Sequence, residues 1–313
     1  RVDGMHFDIA LFTTLTRDHL DYHGSMAAYE AAKQRLFDWP GLRHVIVNLD
    51  DEAGARIAQR AIERGVPLTT TSLTRRTLAG AQALLGEDLS PTAAGLSFTV
   101  MLGERQHRVS VPLVGSFNAA NLLGVLGVLF AAGVEFEAAL ASLPHLVPPP
   151  GRMQIVTRPG APLAVVDYAH TPDALAQALA ALRPLSDARG GRLWVVFGAG
   201  GGRDPGKRAP MGAAAAQGAD RVLITSDNPR TEEPERVAIQ VAEGAPDARC
   251  VLDRAAAITE ALMDAAPEDV VLIAGKGHED YQDIGGRKLP FSDVEHAELA
   301  LAARTVAHEG APC

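Results

Sequence analysis

Residues 221–230 carry an apolar run, RVLITS, straight into Asp227-Asn228-Pro229-Arg230. A surface turn needs only the Asn or the Pro. The guanidinium asks for a partner. Three other polar strings occupy the same kind of position: DYAHTPD closes LAVVDY (163–168), GAGGGRDPGK closes RLWVVFG (192–198), and GKGHED closes VVLIAG (270–275). Continuous apolar strands alternating with helical stretches predict a parallel sheet covered on both faces. Ligands of such sheets bind beyond the carboxyl ends of the strands, so four charged, glycine-bearing loops on that rim predict a binding site.

Further chemistry is scattered along the chain. GGRDPGKR (201–208) fits G-x-x-x-x-G-K, but Arg208 stands where a phosphate loop needs Ser or Thr for Mg²⁺, and Arg203 breaks the G-x-G-x-x-G frame. The string reads as a flexible loop that lets Arg203 reach a ligand, or as a structural turn. TTLTRDHLDYHGS (13–25) offers Asp18, His19, Asp21 and His23 before a helix that Ser25 starts, with Lys33 on that helix four residues after Tyr29. Two readings of Lys33 stand. The residues alone favour a solvated surface lysine. A lysine that loses its proton can instead take up carbon dioxide as a carbamate, an oxygen ligand suited to Mg²⁺. Asn118 and Asn121 in GSFNAANLLG suit either a helix cap or the edge of a nucleobase.

The elements that must position these groups are legible from pattern. Strands are expected at 8–12, 44–49 and 66–71, helices at 25–37 and 52–64, and a hairpin of 96–102 with 108–114 around GERQH. Helices follow at about 117–132 and 135–143. PHLVPPPGR (144–152) marks a boundary between domains 1–150 and 151–313. Thr171-Pro172 and Ser292 with Glu295 are helix-start signals. The chain has 313 residues, 47% apolar and 21% charged, with a net charge of −9, which argues against nucleic acid or anionic membrane as partner. Its longest apolar stretch, around LLGVLGVLFAAGV (122–134), is too short and glycine-rich to span a bilayer. Two cysteines, Cys250 and Cys313, give no disulfide framework and suit a reducing cytoplasm. Arginine is the habitual cation, and only Lys33, Lys207, Lys276 and Lys288 depart from it.

Taken in order, TRDHLDYHG, YEAAK, GSFNAANLLG, GRM, VDYAHTPDAL, GKR, DNPRTEEP, AGKGHEDYQ and FSD resemble the Mur ligases, the ATP-dependent amino-acid ligases of bacterial cell-wall synthesis. The resemblance runs from Arg1 to the C-terminal helix. It implies an α/β fold: a truncated P-loop-type central ATPase domain followed by a Rossmann-like C-terminal domain with a mostly parallel sheet. It further implies that DNPR recognises meso-2,6-diaminopimelate, with Arg203, Asp227, Asn228, Pro229, Arg230, Gly275 and Glu279 lining the amino-acid pocket. Bidentate guanidinium suits the distal carboxylate, and Arg230 would repel the ammonium on which lysine ends. Lys33 matches a carbamylated lysine and His19 a ligand of Mg²⁺. Asn118, Asn121, Arg152, Asp167 and His170 match positions around ATP, and Arg1 an arginine that contacts a UDP-sugar peptide.

Two departures from the family pattern stand out: GRME reads GRMQ, with Gln154 for the carboxylate, and Arg1 reads as an internal start downstream of a uridine-binding domain and a phosphate loop. The implied enzyme is a cytoplasmic bacterial monomer. It would join UDP-MurNAc-L-Ala-D-Glu to meso-diaminopimelate through an acyl phosphate, with ATP and Mg²⁺. The rivals are a lysine-adding ligase, a ligase adding D-alanyl-D-alanine or polyglutamate, and, for the chain as it stands, a non-catalytic module that binds amino acid or nucleotide.

Overall fold

A computed structural model describes residues 4–15, 25–92, 95–202 and 204–309, with side chains described as far as Arg304. Packing divides it into two units. The first is built mainly from residues up to 146. The second is built from 147 onward, together with short stretches at 91–95 and 112–115. The change of unit falls within the proline-rich stretch.

The first unit holds a six-stranded sheet in the order β1 (Ile9–Phe12), β2 (His44–Asn48), β3 (Leu68–Ser72), β4 (Gln82–Thr92), β5 (Gly95–Leu102) and β6 (Arg105–Val111). The strands β1 to β4 run parallel, and β5 pairs antiparallel with β6. In β2, Val45 and Val47 pack with Phe12, Phe37 and Ile57 on the side of helices α1 (Met26–Phe37) and α2 (Glu52–Glu63). Ile46 faces the other way, toward α3 (Ser116–Ala131). There a Cβ on Gly127 would come within 2.8 Å of Ile46, and one on Gly124 within 3.1 Å of Leu11. The glycines of the longest apolar stretch therefore let a core helix lie close on the sheet. A shorter helix, α4 (Phe136–Ser142), follows.

The sequence reading missed β4, whose Gly86, Pro91 and acidic residues disguise a strand. It also drew the β5–β6 turn too long. The turn is only Gly103-Glu104, with Gly103 at φ +59°, and pairing continues to Arg105.

The second unit has strand order β11 (Arg249–Cys250), β10 (Arg221–Ile224), β9 (Leu193–Phe197), β12 (Val270–Ala274), β8 (Leu163–Asp167) and β7 (Gln154–Val156), with β7 alone antiparallel. Because β12 inserts between β8 and β9, the chain reverses its direction across the sheet there, and such a switch point opens a crevice at the carboxyl edge. Alternate residues of β12 face opposite cores. Val270 and Leu272 meet Leu175, Leu179 and Met211 of α5 (Pro172–Arg189) and α6 (Arg208–Gly218). Val271 and Ile273 meet Ile258, Leu262 and Leu301 of α8 (Arg254–Asp264) and α9 (Asp293–Glu309). Each such side chain contributes about 1.5–3 kcal/mol on burial. The helix α7 (Pro234–Ala242) completes the first of these layers, and no described helix is long and apolar enough to cross a membrane.

Candidate functional site

All four polar strings do follow the carboxyl ends of neighbouring strands: β10, β9, β12 and β8. What holds them was only partly visible in the sequence. After β10, Asp227, Asn228 and Pro229 are buried, and Arg230 is half-buried. A β-hairpin of β13 (Tyr281–Ile284) and β14 (Arg287–Pro290) covers them. Its Gly285-Gly286 turn, with both φ angles near +70° (62° and 77°), is the Gly-Gly signal that could have revealed it in the sequence. Gln282 Nε2 donates to the Asp227 carbonyl (2.8 Å), and the Asp283 N–H donates to Asn228 Oδ1 (2.9 Å).

Arg230 itself sits at φ +52°, a left-handed conformation rare for a residue with a side chain. Its backbone is gripped on both sides: its N–H donates to Asp283 O (2.9 Å), and Gly285 N–H donates to its carbonyl (2.6 Å). Its Nη1 donates to Gly201 O (2.5 Å), in the glycine loop after β9. There Gly200 leaves room, since a Cβ would lie 3.1 Å from Nη1, and a Cβ on Gly201 would clash with Pro229 O at 2.0 Å. The glycines thus admit the DNPR backbone and guanidinium. Strain of this kind persists where surrounding structure over-determines it.

Beyond β12, Gly275 (φ +118°) lies beside the Asp227 carboxylate. Lys276 is fully buried, and Glu279 keeps 19% of its side chain exposed. Glu279 Oε2 accepts from Asn228 Nδ2 (2.8 Å) and Lys276 Nζ (3.0 Å). Burial pushes its carboxyl upward, but those hydrogen bonds outweigh burial and leave it below its ordinary value. Burial pushes Asp227 upward as well, and there it prevails, leaving the carboxyl above the usual carboxylate range with Arg254 and Lys276 opposing. Asp227, Asn228 and Pro229 therefore lie beneath the rim, whereas Arg230 and Glu279 bring charge to it.

Two buried arginines hold the loops. Arg254, at the start of α8, makes a bidentate pair with Asp293, at the start of α9 (2.7 and 2.8 Å), and donates to Ala274 O (2.9 Å) at the end of β12. Both side chains are fully buried. Arg208, the residue that spoils the phosphate-loop pattern, is 1% exposed and pairs with Glu232 through both guanidinium Nη atoms (2.9 Å each). Glu232 in turn accepts the Gly202 N–H (2.6 Å), which pins the glycine loop.

The Arg208 and Gly202 bonds hold the Glu232 carboxyl at about 2, against an ordinary 4.5. A carboxyl lowered on folding contributes stability that is complete above about 4.5 and vanishes as pH falls through about 2. Glu232→Gln is therefore expected to melt below wild type at neutral pH and to converge on it as pH falls across that window, in melting curves recorded from pH 7 to 2.

Arg152, Asp167 and His170 form a second cluster in this unit. Arg152 is exposed and stacks its guanidinium 4.7 Å from the Tyr168 ring centre, and His170 meets the same ring edge-on at 4.7 Å. Asp167 spends both oxygens on backbone, from Met153 N–H and Ala169 N–H (2.9 Å each). It shapes the turns that present Arg152 and His170. Gln154 Oε1 accepts the Gly151 N–H (2.9 Å), a task an amide performs as well as a carboxylate. Gly151 and Gly277 interlock, since a Cβ on Gly151 would meet the Gly277 carbonyl carbon at 2.1 Å.

In the first unit, Ser25 caps α1 by accepting the Ala28 N–H (3.2 Å). Lys33 is half-buried over the Tyr29 ring, 4.9 Å from its centre. Asn118 and Asn121 share one face of α3, with Asn121 Nδ2 donating to Asn118 Oδ1 (3.5 Å). Asn48 and Asp51 tether the start of the TTLTRDH loop through Thr13 O, Thr14 Oγ1 and the Leu15 N–H. Arg1, His19 and Arg203, with Asp18, Asp21 and His23, lie outside the described residues. Among the described residues no three His, Cys, Asp or Glu side chains gather as a metal-ligand set, and Lys33 as an ammonium is itself a cation. The described residues alone do not fit a divalent ion.

Two family models match the chain: the Mur ligase middle domain over residues 1–129, and the Mur ligase, glutamate ligase domain over residues 151–277. The UDP-N-acetylmuramoyl-L-alanyl-D-glutamate–2,6-diaminopimelate ligase of Ralstonia nicotianae is 52% identical over 314 residues, covering 98% of this chain and 60% of the relative. The ligase of the same name from Janthinobacterium sp. (strain Marseille) is 48% identical over 312 residues, covering 98% and 61%. A solved structure of a ligase with that name superposes with a TM-score of 0.72 at 39% identity, over 97% of this chain and 62% of its own. MurF from Acinetobacter baumannii, at 16% identity and a TM-score of 0.63, shares the fold. The chain thus spans about 60% of the length of the curated relatives it matches.

Proposed function

The chain belongs to the Mur ligase family, and from that premise we propose that its protein ligates meso-diaminopimelate to UDP-MurNAc-L-Ala-D-Glu at the expense of ATP. In this reading residues 1–150 form the ATP-binding half and residues 151–313 receive the incoming amino acid. The observation that carries it is the presence of opposite charges on one rim: Arg230, whose Nη1 donates to Gly201 O, and Glu279, which accepts from Asn228 Nδ2. Diaminopimelate carries an amino-acid head at each end, so its distal carboxylate and ammonium match that pair. L-lysine lacks the carboxylate, and its ammonium would face the guanidinium.

The chemistry follows from the poor electrophilicity of a carboxylate. The D-glutamyl carboxylate attacks the γ-phosphorus of ATP, giving an acyl phosphate and ADP. The neutral α-amine of diaminopimelate then attacks the acyl carbon. The tetrahedral intermediate expels phosphate, and the nitrogen loses a proton to leave the amide. Holding the far end of diaminopimelate on Arg230 and Glu279 aims its near amine, and such orientation is worth several orders of magnitude in rate. Arg152, His170, Asn118 and Asn121 are assigned to ATP, and Arg1 to the UDP-substrate. Mg²⁺ would supply charge neutralisation during phosphoryl transfer. Lys33, as a carbamate, and His19 are the residues proposed to hold it. A monomeric enzyme of the bacterial cytoplasm completes the reading.

The test is phosphate release by the full-length protein with ATP, Mg²⁺ and UDP-MurNAc-L-Ala-D-Glu, comparing meso-diaminopimelate with L-lysine. Release with diaminopimelate alone is expected. Equal release with lysine would favour a lysine-adding ligase, and no release with either would leave a binding module.

A further inference from the structure

Lys276 has no role in the reading above, yet it is a fully enclosed cation beneath the rim. Its side chain is 0% exposed. Nζ donates to Asn228 Oδ1 (3.0 Å) and Glu279 Oε2 (3.0 Å) and lies 3.8 Å from Asp227 Oδ1. The Tyr281 ring closes another side, 5.5 Å away. Enclosing a cation is costly unless charge and hydrogen bonds compensate it. Here the Glu279 carboxylate and the Asn228 amide oxygen do so by hydrogen bonds, with the Asp227 carboxyl close by.

The choice of lysine is informative. The chain buries arginine at 208, 254 and 304, each gripping carboxylate or carbonyl oxygens. At 276 the acceptors belong to two different side chains and converge on one point, which suits a compact three-donor head. An asparagine amide presents nearly the same shape either way round. With Lys276 and the Asp283 N–H both on Oδ1, the nitrogen of Asn228 must face Glu279. Glu279 Oε2 is then held by two donors. Oε1 accepts no hydrogen bond among the described residues, which leaves it to the crevice.

We propose that Lys276 is a positioning residue: directly and through the Asn228 amide, it fixes the Glu279 carboxylate in the orientation that meets the distal ammonium of the amino-acid substrate. This rests on the assignment of that pocket to diaminopimelate. Lys276 touches no substrate atom and acts through Glu279 alone.

The experiment is steady-state kinetics of the full-length protein as wild type, Lys276→Met, Glu279→Gln and the double variant, each with KM for meso-diaminopimelate and for ATP. Lys276→Met is expected to raise KM for diaminopimelate about 10–100-fold, the scale of losing a charge-assisted hydrogen bond, with KM for ATP unchanged. Lys276→Arg should not rescue it. The double variant should match Glu279→Gln alone, because the lysine has nothing left to position. An unchanged KM for diaminopimelate in Lys276→Met, or losses that multiply in the double variant, would overturn the proposal. So would equal loss of both substrates' KM.

If Lys276→Met does not fold, the charge-matched double variant is read against Glu279→Gln instead, and failure of that variant to fold would assign Lys276 a structural role and sink the proposal. Wild type that releases no diaminopimelate-dependent phosphate would remove the parent reading and this one together. Wild-type turnover with an indifferent Lys276 variant would remove this one alone.

Discussion

Arg254→Ala is expected to lower the stability of the second unit by about 3–5 kcal/mol, the scale for removing one partner of a buried ion pair. Arg254 and Asp293 are both fully enclosed, joined by two hydrogen bonds, and sit at the first turns of α8 and α9. The same guanidinium holds Ala274 O and approaches Ser226 O (3.4 Å), so it ties both helices to the ends of β12 and β10. Alanine would leave Asp293 charged and unpaired beneath the rim. A domain's whole stability is about 5–15 kcal/mol, so this loss is a large share. The check is urea unfolding of Arg254→Ala against Arg254→Met/Asp293→Leu. The apolar double variant should recover most of the loss, since replacing both charges removes their desolvation cost along with their attraction. A single variant within 1 kcal/mol of wild type would show that the pair is not what fixes these ends.

Residues whose partners are local, or repeat with a period, were legible in the sequence. The four apolar strands of the second unit, their helical crossovers and the loops closing them could be read because a parallel sheet writes itself as short apolar runs. Thr171 and Ser292 could be read as caps because their partners lie three residues on, at Ala174 and Glu295. Lys33 over Tyr29 follows from helical spacing. The supports of the site could not be read in this way. Arg254 finds Asp293 across 39 residues, Lys276 finds Asn228 across 48, and Arg208 finds Glu232 across 24. Such pairs leave no pattern in a single sequence. Arg208 was noticed only as an obstacle to a phosphate loop. At Asp167 a polar residue at a strand end reads as a ligand contact, but the backbone N–H that each of its oxygens accepts does not show in the sequence. The Gly285-Gly286 hairpin was legible from its turn residues but was passed over, and with it the cover over Asp227 to Pro229.

Arg230→Met is expected to raise KM for meso-diaminopimelate by roughly 30- to 4,000-fold, from the 2–5 kcal/mol that truncating one partner of a desolvated charge pair costs. KM for ATP should stay put. Arg230→Lys should recover little, because a point charge on a flexible stem does not reproduce a planar fork held by Gly201 O. The backbone separates a structural role from a selective one. Residue 230 sits at φ +52°, where a side chain costs about 1–2 kcal/mol and glycine nearly nothing. Arg230→Gly removes that strain, and the greater freedom of its unfolded chain offsets part of the gain. It should therefore melt no lower than wild type while losing the discrimination between meso-diaminopimelate and L-lysine in the phosphate-release assay. A variant as stable as the parent but indifferent between the two amino acids would mean that the strain at residue 230 is kept for selection, not for folding. A glycine variant that still preferred diaminopimelate would move the selector elsewhere on the rim, with Glu279 the next residue to replace.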